Sequence, residues 1–576
     1  VAISGFVALT LAPALCARVL RTDARDSGAS AWLGHAVDRM RGVYARALGV
    51  SLGNQALVAA VGVAWIALGW LLFSVIDREF VPVSDRGSLM ISSTAPQGST
   101  LEYTDRYHMM VEQALLEIPE IYASVAIIAP GWAGPAAVNE AIIFSSLVPQ
   151  DERERSQQEI VDALVYQFST NPGIEVFPRN EPTLSIDWDA APVSLVVTGP
   201  EIAKVAAYAD EIVRRSREIP GLVNLWSDLK LDKPQLVVHV DREQASDLGV
   251  SVRDVASTLQ VLLGGLKLST FKLHGETYEV IAQIDRSERA NPTDLYGLSV
   301  RSQSGIMVPL ASVVSIEETV TSPGLSHYDR QRAAEISGHL LAGVPLGATL
   351  DRIRAISSEV IPTDSGYRVR FSGLSERFYE SGSALVFAYL LAVVMVYLVL
   401  AAQFESFVDP ATILVAVALS FTGALLALQL TGHTLNLFSQ IGLVMLVGLV
   451  TKNSILIVEF ANRLRERGAE PFEAVSSAAR IRFRPVMMTA LSTIAGILPI
   501  AIGLGAGGEA RAPLGVAVVG GMAFATLFTI FVIPVVYLGF ARLEGRIAAY
   551  STHRAQQSGP DGAGALPVGV AGRSPS

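Results

Sequence analysis

Cysteine is almost missing from this chain: Cys16 is the only one, inside an apolar stretch near the first residue. No disulfide can therefore form within the chain, and Cys16 reads as a small buried hydrophobe. The eight histidines are scattered, with no His-Glu-x-x-His pair, and no Cys-x-x-Cys accompanies them. The glycine-rich stretch 503–508 lacks the Lys-Ser/Thr of a phosphate-binding loop and reads as a turn between two apolar runs. Little is left for enzyme chemistry. Work done by this chain would draw on an ion gradient rather than on ATP, and no cofactor is expected. The formal net charge of −10 also argues against a nucleic-acid surface.

The last absence is the sharpest. No Asp or Glu lies inside any long apolar stretch, and Glu405, Asp409 and Glu459 all fall at segment ends. One lysine does lie inside, in Gly448-Leu449-Val450-Thr451-Lys452-Asn453-Ser454-Ile455. An ammonium at that depth costs at least about 2.5–3.5 kcal/mol, so it must face the protein interior and find a partner. Either Lys452 is deprotonated, or its counter-charge lies on a part of the protein outside this chain.

What is present is apolar: 51% of the 576 residues are hydrophobic and 17% charged, with a mean hydropathy of +0.41. That balance fits a membrane protein with a large water-facing part. Spans of about 20 apolar residues are expected at 55–76, 383–402, 411–430, 437–460, 486–506 and 514–540. They follow an opening stretch, 1–20, that reads as the end of another span. The first residue is Val1 and no cleavable signal is evident, so the chain reads as a C-terminal fragment.

Arginine orients the spans. Arg18, Arg21, Arg25, Arg39, Arg41 and Arg46 cluster after the first stretch, and Arg463, Arg465, Arg467, Arg480, Arg482 and Arg484 lie between 460 and 486. Arg542 and Arg546 follow the last span. The positive-inside rule puts all three regions in the cytoplasm and the region 77–382 on the outer face. The connector 21–54, with Trp32, Leu33, Val37, Met40 and Val43, reads as an amphipathic surface helix or as a charged linker. The tail 542–576, rich toward its end in Gly, Pro, Ala and Ser, is expected to be cytoplasmic and disordered.

Within 77–382 short β-rich runs alternate with helices, an α+β pattern of split, ferredoxin-like units. Strands are expected near 88–93, 123–128, 141–148, 174–178, 193–197, 222–227, 235–240, 335–340 and 367–371, with more between 278 and 320. Helices are expected at 101–118, 157–168, 201–217, 252–263 and 350–360. Whether the strands form one sheet or several is open at this level.

Several segments together resemble one family. They are 7–17, Glu79-Phe80-Val81-Pro82, 234–251, Gln403-Phe404-Glu405-Ser406-Phe407, 448–461 around Lys452-Asn453, and Arg482-Phe483-Arg484-Pro485 within 482–489. The chain resembles the C-terminal half of resistance-nodulation-division (RND) efflux pumps, specifically the exporters of hydrophobic and amphiphilic compounds in Gram-negative inner membranes. The resemblance covers residues 1 to about 545. It implies a twelve-span protomer, of which this chain holds the end of span six and spans seven to twelve. The large periplasmic α+β insert would carry ferredoxin-like porter subdomains at 86–186 and at 187–230 with 325–376, and a docking subdomain at 231–324. It further implies a homotrimer, a periplasmic adaptor and an outer-membrane channel as partners, and a proton gradient as the energy source.

The family's fourth span, with two adjacent aspartates, would lie in the other half. Lys452 would exchange partners with those acids as they gain and lose protons, and Asn453, Arg482 and Thr489 match neighbouring relay positions. The alternatives are an ion pair that merely joins two bundles, an ordinary cytoplasmic arginine at 482 and a threonine bonded to its own helix at 489. For cargo, Pro130-Gly131-Trp132-Ala133-Gly134-Pro135 resembles the loop that separates two drug pockets, and Phe144 matches a pocket phenylalanine. This loop has one aromatic and two prolines where well-known drug pumps carry more aromatics. Trp132 and Phe144 as plain core residues is the competing reading. A metal-ion exporter, a protein-export or lipid-flipping relative, and a non-transporting remnant or regulatory membrane protein are the other functional readings.

Overall fold

The computed structural model describes residues 2–19, 29–131, 136–168, 171–181, 183, 191–322, 324–341, 343–362, 365–505 and 507–557. Trp132, most of its loop, residues 20–28 and the end of the tail (558–576) lie outside them. The chain divides into a helical unit, 1–84 with 378–576, and an α/β unit, 85–377.

The helical unit opens with α1 (Ala2–Val19), α2 (Ala29–Gly53) and α3 (Gln55–Val75). Cys16 is exposed on α1 rather than buried; among the described residues none of α1 joins the buried core of this unit. The connector, where described, is helical, and its Tyr44, Leu48 and Leu52 are buried in that core.

The α/β unit contains two copies of one topology. In the first, β1 (Ser88–Thr94), α4 (Leu101–Leu116), β2 (Ile121–Ile128), β3 (Glu140–Leu147), α5 (Gln157–Phe168) and β4 (Glu175–Asn180) follow one another. Their antiparallel strands stand in the order β2-β3-β1-β4. That is the split βαβ arrangement the alternation suggested. Leu89, Ile91 and Ile143 on one sheet face meet Val111, Leu115, Ile160 and Leu164 of the two helices. The second copy begins with β5 (Val193–Gly199), α6 (Ile202–Ser216) and β6 (Leu222–Ser227).

A long insertion then intervenes. It holds β7 (Lys233–Val240), α7 (Arg242–Asp247), α8 (Val252–Leu259), β8 (Leu266–Leu273), β9 (Glu276–Ala282), β10 (Ser299–Arg301), β11 (Met307–Pro309) and β12 (Val314–Thr321). It has its own core around Val255, Leu310 and Val313. The chain returns through β13 (His327–Tyr328), β14 (Gln331–Leu340), α9 (Leu346–Val360) and β15 (Arg368–Phe371). β6-β14-β5-β15 repeats the first order, with β13 added beside β14. The strands thus form several separate sheets.

Two local expectations change. The helix expected at 252–263 ends as α8 at Leu259 and widens into a π turn, Gln260–Gly264. β8, not foreseen, pairs with β9 as a hairpin whose residues are almost all exposed. With no buried face, its alternation carried no core signal.

Five long helices complete the helical unit: α10 (Gly373–Phe404), α11 (Val408–Leu430), α12 (Leu437–Glu466), α13 (Pro471–Ala501) and α14 (Gly508–Gln557). With α3 they make six helices long and apolar enough to cross a membrane among the described residues. The turn at 503–508 is as expected, with Gly503, Gly505 and Gly507 at positive φ. The helices outrun the apolar segments. α13 starts at Pro471, well before 486, because Ala474, Val475, Ala478 and Ala479 bury one face while Arg480, Arg482 and Arg484 depress its average hydropathy. α14 continues through part of the tail expected to be disordered, where Ala, Glu, Arg and Gln favour helix.

Asn436 caps α12 in a reciprocal box with Ser439, and Arg463 and Arg465 in its last turn suit the helix dipole. Small residues allow α11 and α14 to approach closely. A Cβ at Gly520 would lie 2.1 Å from Ala427 Cβ, and one at Gly423 would lie 2.6 Å from Phe524 Cβ.

Candidate functional site

The first candidate centre lies between α12 and α13. Lys452 projects from the middle of α12, half-buried, and its Nζ donates to Thr493 Oγ1 at 3.1 Å. Thr493 in turn donates to the Thr489 carbonyl at 2.8 Å. No ion pair to Lys452 occurs among the described residues, so the structure supplies a hydroxyl where the charge calls for a carboxylate.

The other three expected residues divide. Asn453 is fully buried on the neighbouring face of α12, where its Nδ2 donates to Thr526 Oγ1 on α14 at 3.4 Å. Its Oδ1, Ser454 Oγ and Thr529 Oγ1 are buried without a partner in the same bundle. Thr489 bonds back to its own helix, its Oγ1 donating to the Val486 carbonyl at 3.1 Å. It reaches Lys452 only through its carbonyl and Thr493. Arg482 stands apart, its guanidinium stacked 4.6 Å over the Phe460 ring. Phe460 is eight residues beyond Lys452, about 12 Å along the helix. The structure therefore links Lys452 to the Thr489 carbonyl through Thr493, turns Asn453 toward α14 and leaves Arg482 outside. Sequence reading missed Thr493 and Thr526; a threonine in an apolar helix gives no sign of its partner.

The arginine-rich end of the bundle carries a second polar group. Tyr537 on α14 donates to Asn462 Oδ1 at 2.5 Å, and Asn462 Nδ2 donates to Asp409 Oδ2 on α11 at 2.9 Å. Arg465 Nη1 donates to the Tyr537 hydroxyl at 3.2 Å. Three helices are tied there.

In the α/β unit, Phe144 sits half-buried on β3, on the opposite sheet face from buried Ile143. Strand register places Val125, Phe144, Met90 and Arg179 in one row across the sheet. Arg179 Nη1 lies 3.1 Å from His339 Nε2, on β14 of the second sheet, and its Nη2 lies 3.8 Å from Met90 Sδ. The His339 ring stacks near Phe177 at 6.4 Å. Burial, with the Arg179 charge added, pushes the His339 imidazole down to about 3. Residues 160 positions apart build this contact, which no local pattern announces. Among the described residues no group of three or more His, Cys, Asp and Glu could hold a metal ion.

Comparison with known proteins agrees with this architecture. The sequence profile of the AcrB/AcrD/AcrF family matches residues 1–541. An uncharacterized transporter of Haemophilus influenzae is 30% identical over 543 residues, across 93% of this chain and 52% of its own length. The crystal structure of a heavy metal efflux pump superimposes with a TM-score of 0.78 at 27% identity, over 87% of this chain and 52% of that one. The chain thus spans about half the length of the relatives it matches. With six apolar helices, two split βαβ units and a profile match across nearly all of its length, the chain belongs to the AcrB/AcrD/AcrF family of RND transporters.

Proposed function

We propose that this chain provides the C-terminal half of a proton-driven exporter of hydrophobic or amphiphilic compounds. One observation carries the reading: Lys452, at mid-helix in α12, is held by a threonine hydroxyl and by no carboxylate among the described residues. A cation in that setting is poised to accept a stronger partner when one arrives. That partner would be the pair of aspartates the family carries in its fourth span. Their protonation weakens the attraction for Lys452, which falls back on Thr493; their deprotonation draws it away. Asn453, coupled to α14 through Thr526, would carry the change to a second helix, with Thr489 adjoining through Thr493. Arg482, stacked on Phe460, has a supporting role at the arginine-rich end.

The α/β unit would be periplasmic and the helical unit an inner-membrane bundle. Its two split βαβ units would be porter subdomains and the insertion after β6 a docking subdomain. Cargo would meet the sheet face that carries half-buried Phe144 and exposed Val125, where apolar area needs little directional fit; Trp132, outside the described residues, is the other candidate. A homotrimer of whole protomers, an adaptor and an outer-membrane channel complete the proposal.

A second reading, export of a heavy metal cation, is favoured by the likeness to a heavy metal efflux pump. The Arg179 guanidinium beside Met90 would repel a cation on that face, so amphiphilic cargo is preferred. Dye accumulation in an efflux-deficient Gram-negative strain tests the relay. The whole reading frame should lower accumulation, and Lys452→Ala, equally expressed, should not. Equal extrusion by both would make Lys452 structural and end the relay assignment.

A further inference from the structure

On the far side of α13 and α14 from Lys452–Thr493 the helices line a cavity of about 1210 Å³, whose wall includes Thr526. α2, α13 and α14 enclose it, and Met487, Leu491 and Leu527 are among its mostly apolar lining. Tyr44 holds α2 in place at its edge. Its ring stacks on Phe483 at 4.5 Å, and its hydroxyl donates to the Ile530 carbonyl at 2.9 Å. Of the described lining residues Arg39 alone is charged. Leu491 and Leu527 are 58% and 56% exposed, so the apolar wall opens to its surroundings.

The two helices α2 and α13 bring several arginines to this region, with Arg39 in the wall. Arg41 and Arg46 on α2, and Arg480 and Arg484 on α13, are all exposed, and Arg480 lies within electrostatic reach of the Tyr44 hydroxyl. Asp38 is the only acid on α2. An apolar chamber with a cationic rim, at the arginine-rich end of membrane-length helices, matches an amphiphile with an anionic head and hydrocarbon tails. Phosphatidylglycerol-type lipids of the surrounding bilayer have that chemistry, at the depth where basic side chains meet headgroups.

We infer that this cavity is a binding site for an anionic phospholipid, with its phosphate on Arg39 and an acyl chain against Leu491 and Leu527. The chain ends near Thr526, whose hydroxyl accepts from Asn453 next to Lys452. The assignment rests on this geometry alone and stands whether or not Lys452 relays protons.

The test is labelling of the intact protein in nanodiscs containing a photoactivatable phosphatidylglycerol, with cross-linked peptides mapped by mass spectrometry. Label should concentrate in peptides covering 483–494 and 523–531. Leu491→Trp, which fills the chamber from an exposed position, and Arg39→Gln should each lower it. The Arg39 change should cost about five-fold, the weight of one basic side chain at an anionic surface. A photoactivatable phosphatidylcholine should label these peptides correspondingly less. Label spread evenly along the spans, label unchanged by Leu491→Trp, or equal labelling by the two lipids would each overturn the site. Displacement by a hydrophobic dye as readily as by unlabelled phosphatidylglycerol would also overturn it, making the chamber a cargo pocket. Unchanged size-exclusion profiles of the two variants confirm that folding is intact.

Discussion

The Lys452 ammonium and the Thr493 hydroxyl meet at 3.1 Å across the α12–α13 interface. A neutral oxygen satisfies one of the three N–H donors of a lysine and none of its charge. The contact is therefore a resting place rather than a lock.

Thr493→Val removes that resting place without touching the charge. Interhelical hydrogen bonds in membranes average about 0.6 kcal/mol, so the variant should fold and insert. Dye extrusion should fall partway toward the Lys452→Ala level, and Thr493→Ser should restore it. Full activity in Thr493→Val would show that the hydroxyl has no part in the cycle.

Close approach of α11 and α14 is the next point of failure. A Cβ at Gly520 would stand 2.1 Å from Ala427 Cβ and 3.1 Å from the Gly423 carbonyl oxygen. Gly520→Val should force the helices apart and cost about 1–3 kcal/mol. Detergent thermal-shift assays read this as a lower melting point. Gly448→Ala, which meets nothing within 4 Å, serves as the unaffected control.

Acid should weaken the α/β unit through His339. Its imidazole, buried beside Arg179, is pushed down to about 3, against about 6.5 when unfolded. The unfolded chain then binds a proton that the folded chain refuses between those values. The contribution is complete above pH ~6.5 and is lost progressively as pH falls toward ~3. Pulse proteolysis of the protein at pH 7 and pH 5 should show susceptibility rising at the lower pH. His339→Gln should flatten that rise, and an unaltered pH response would remove His339 as its cause.

Legibility in the sequence followed the source of each feature's stability. The spans were visible because apolar length alone places a helix in a membrane, and Lys452 stood out as a cation with no neighbouring acid. The split βαβ units were visible as alternation, since each strand and helix buries one face in its own core. β8 hid because its hairpin with β9 buries almost nothing. The start of α13 hid behind three arginines on a helix whose other face is packed. Thr493, Thr526, Arg179 and His339 acquire roles only from partners distant in sequence. Arg482 shows the converse. Its motif was recognisable, yet its guanidinium covers Phe460 instead of joining Lys452.

The tie between Tyr537, Asn462 and Asp409 has a mechanical meaning. It rivets α11, α12 and α14 together at one end, so that these three resist sliding past one another there. α13 is held to α12 near that end by Arg482 stacked over Phe460, and farther along it carries the hydroxyl that Lys452 holds. If charge at Lys452 changes, α12 and α13 would part at mid-helix while their arginine-rich end stays pinned, two blades on one hinge.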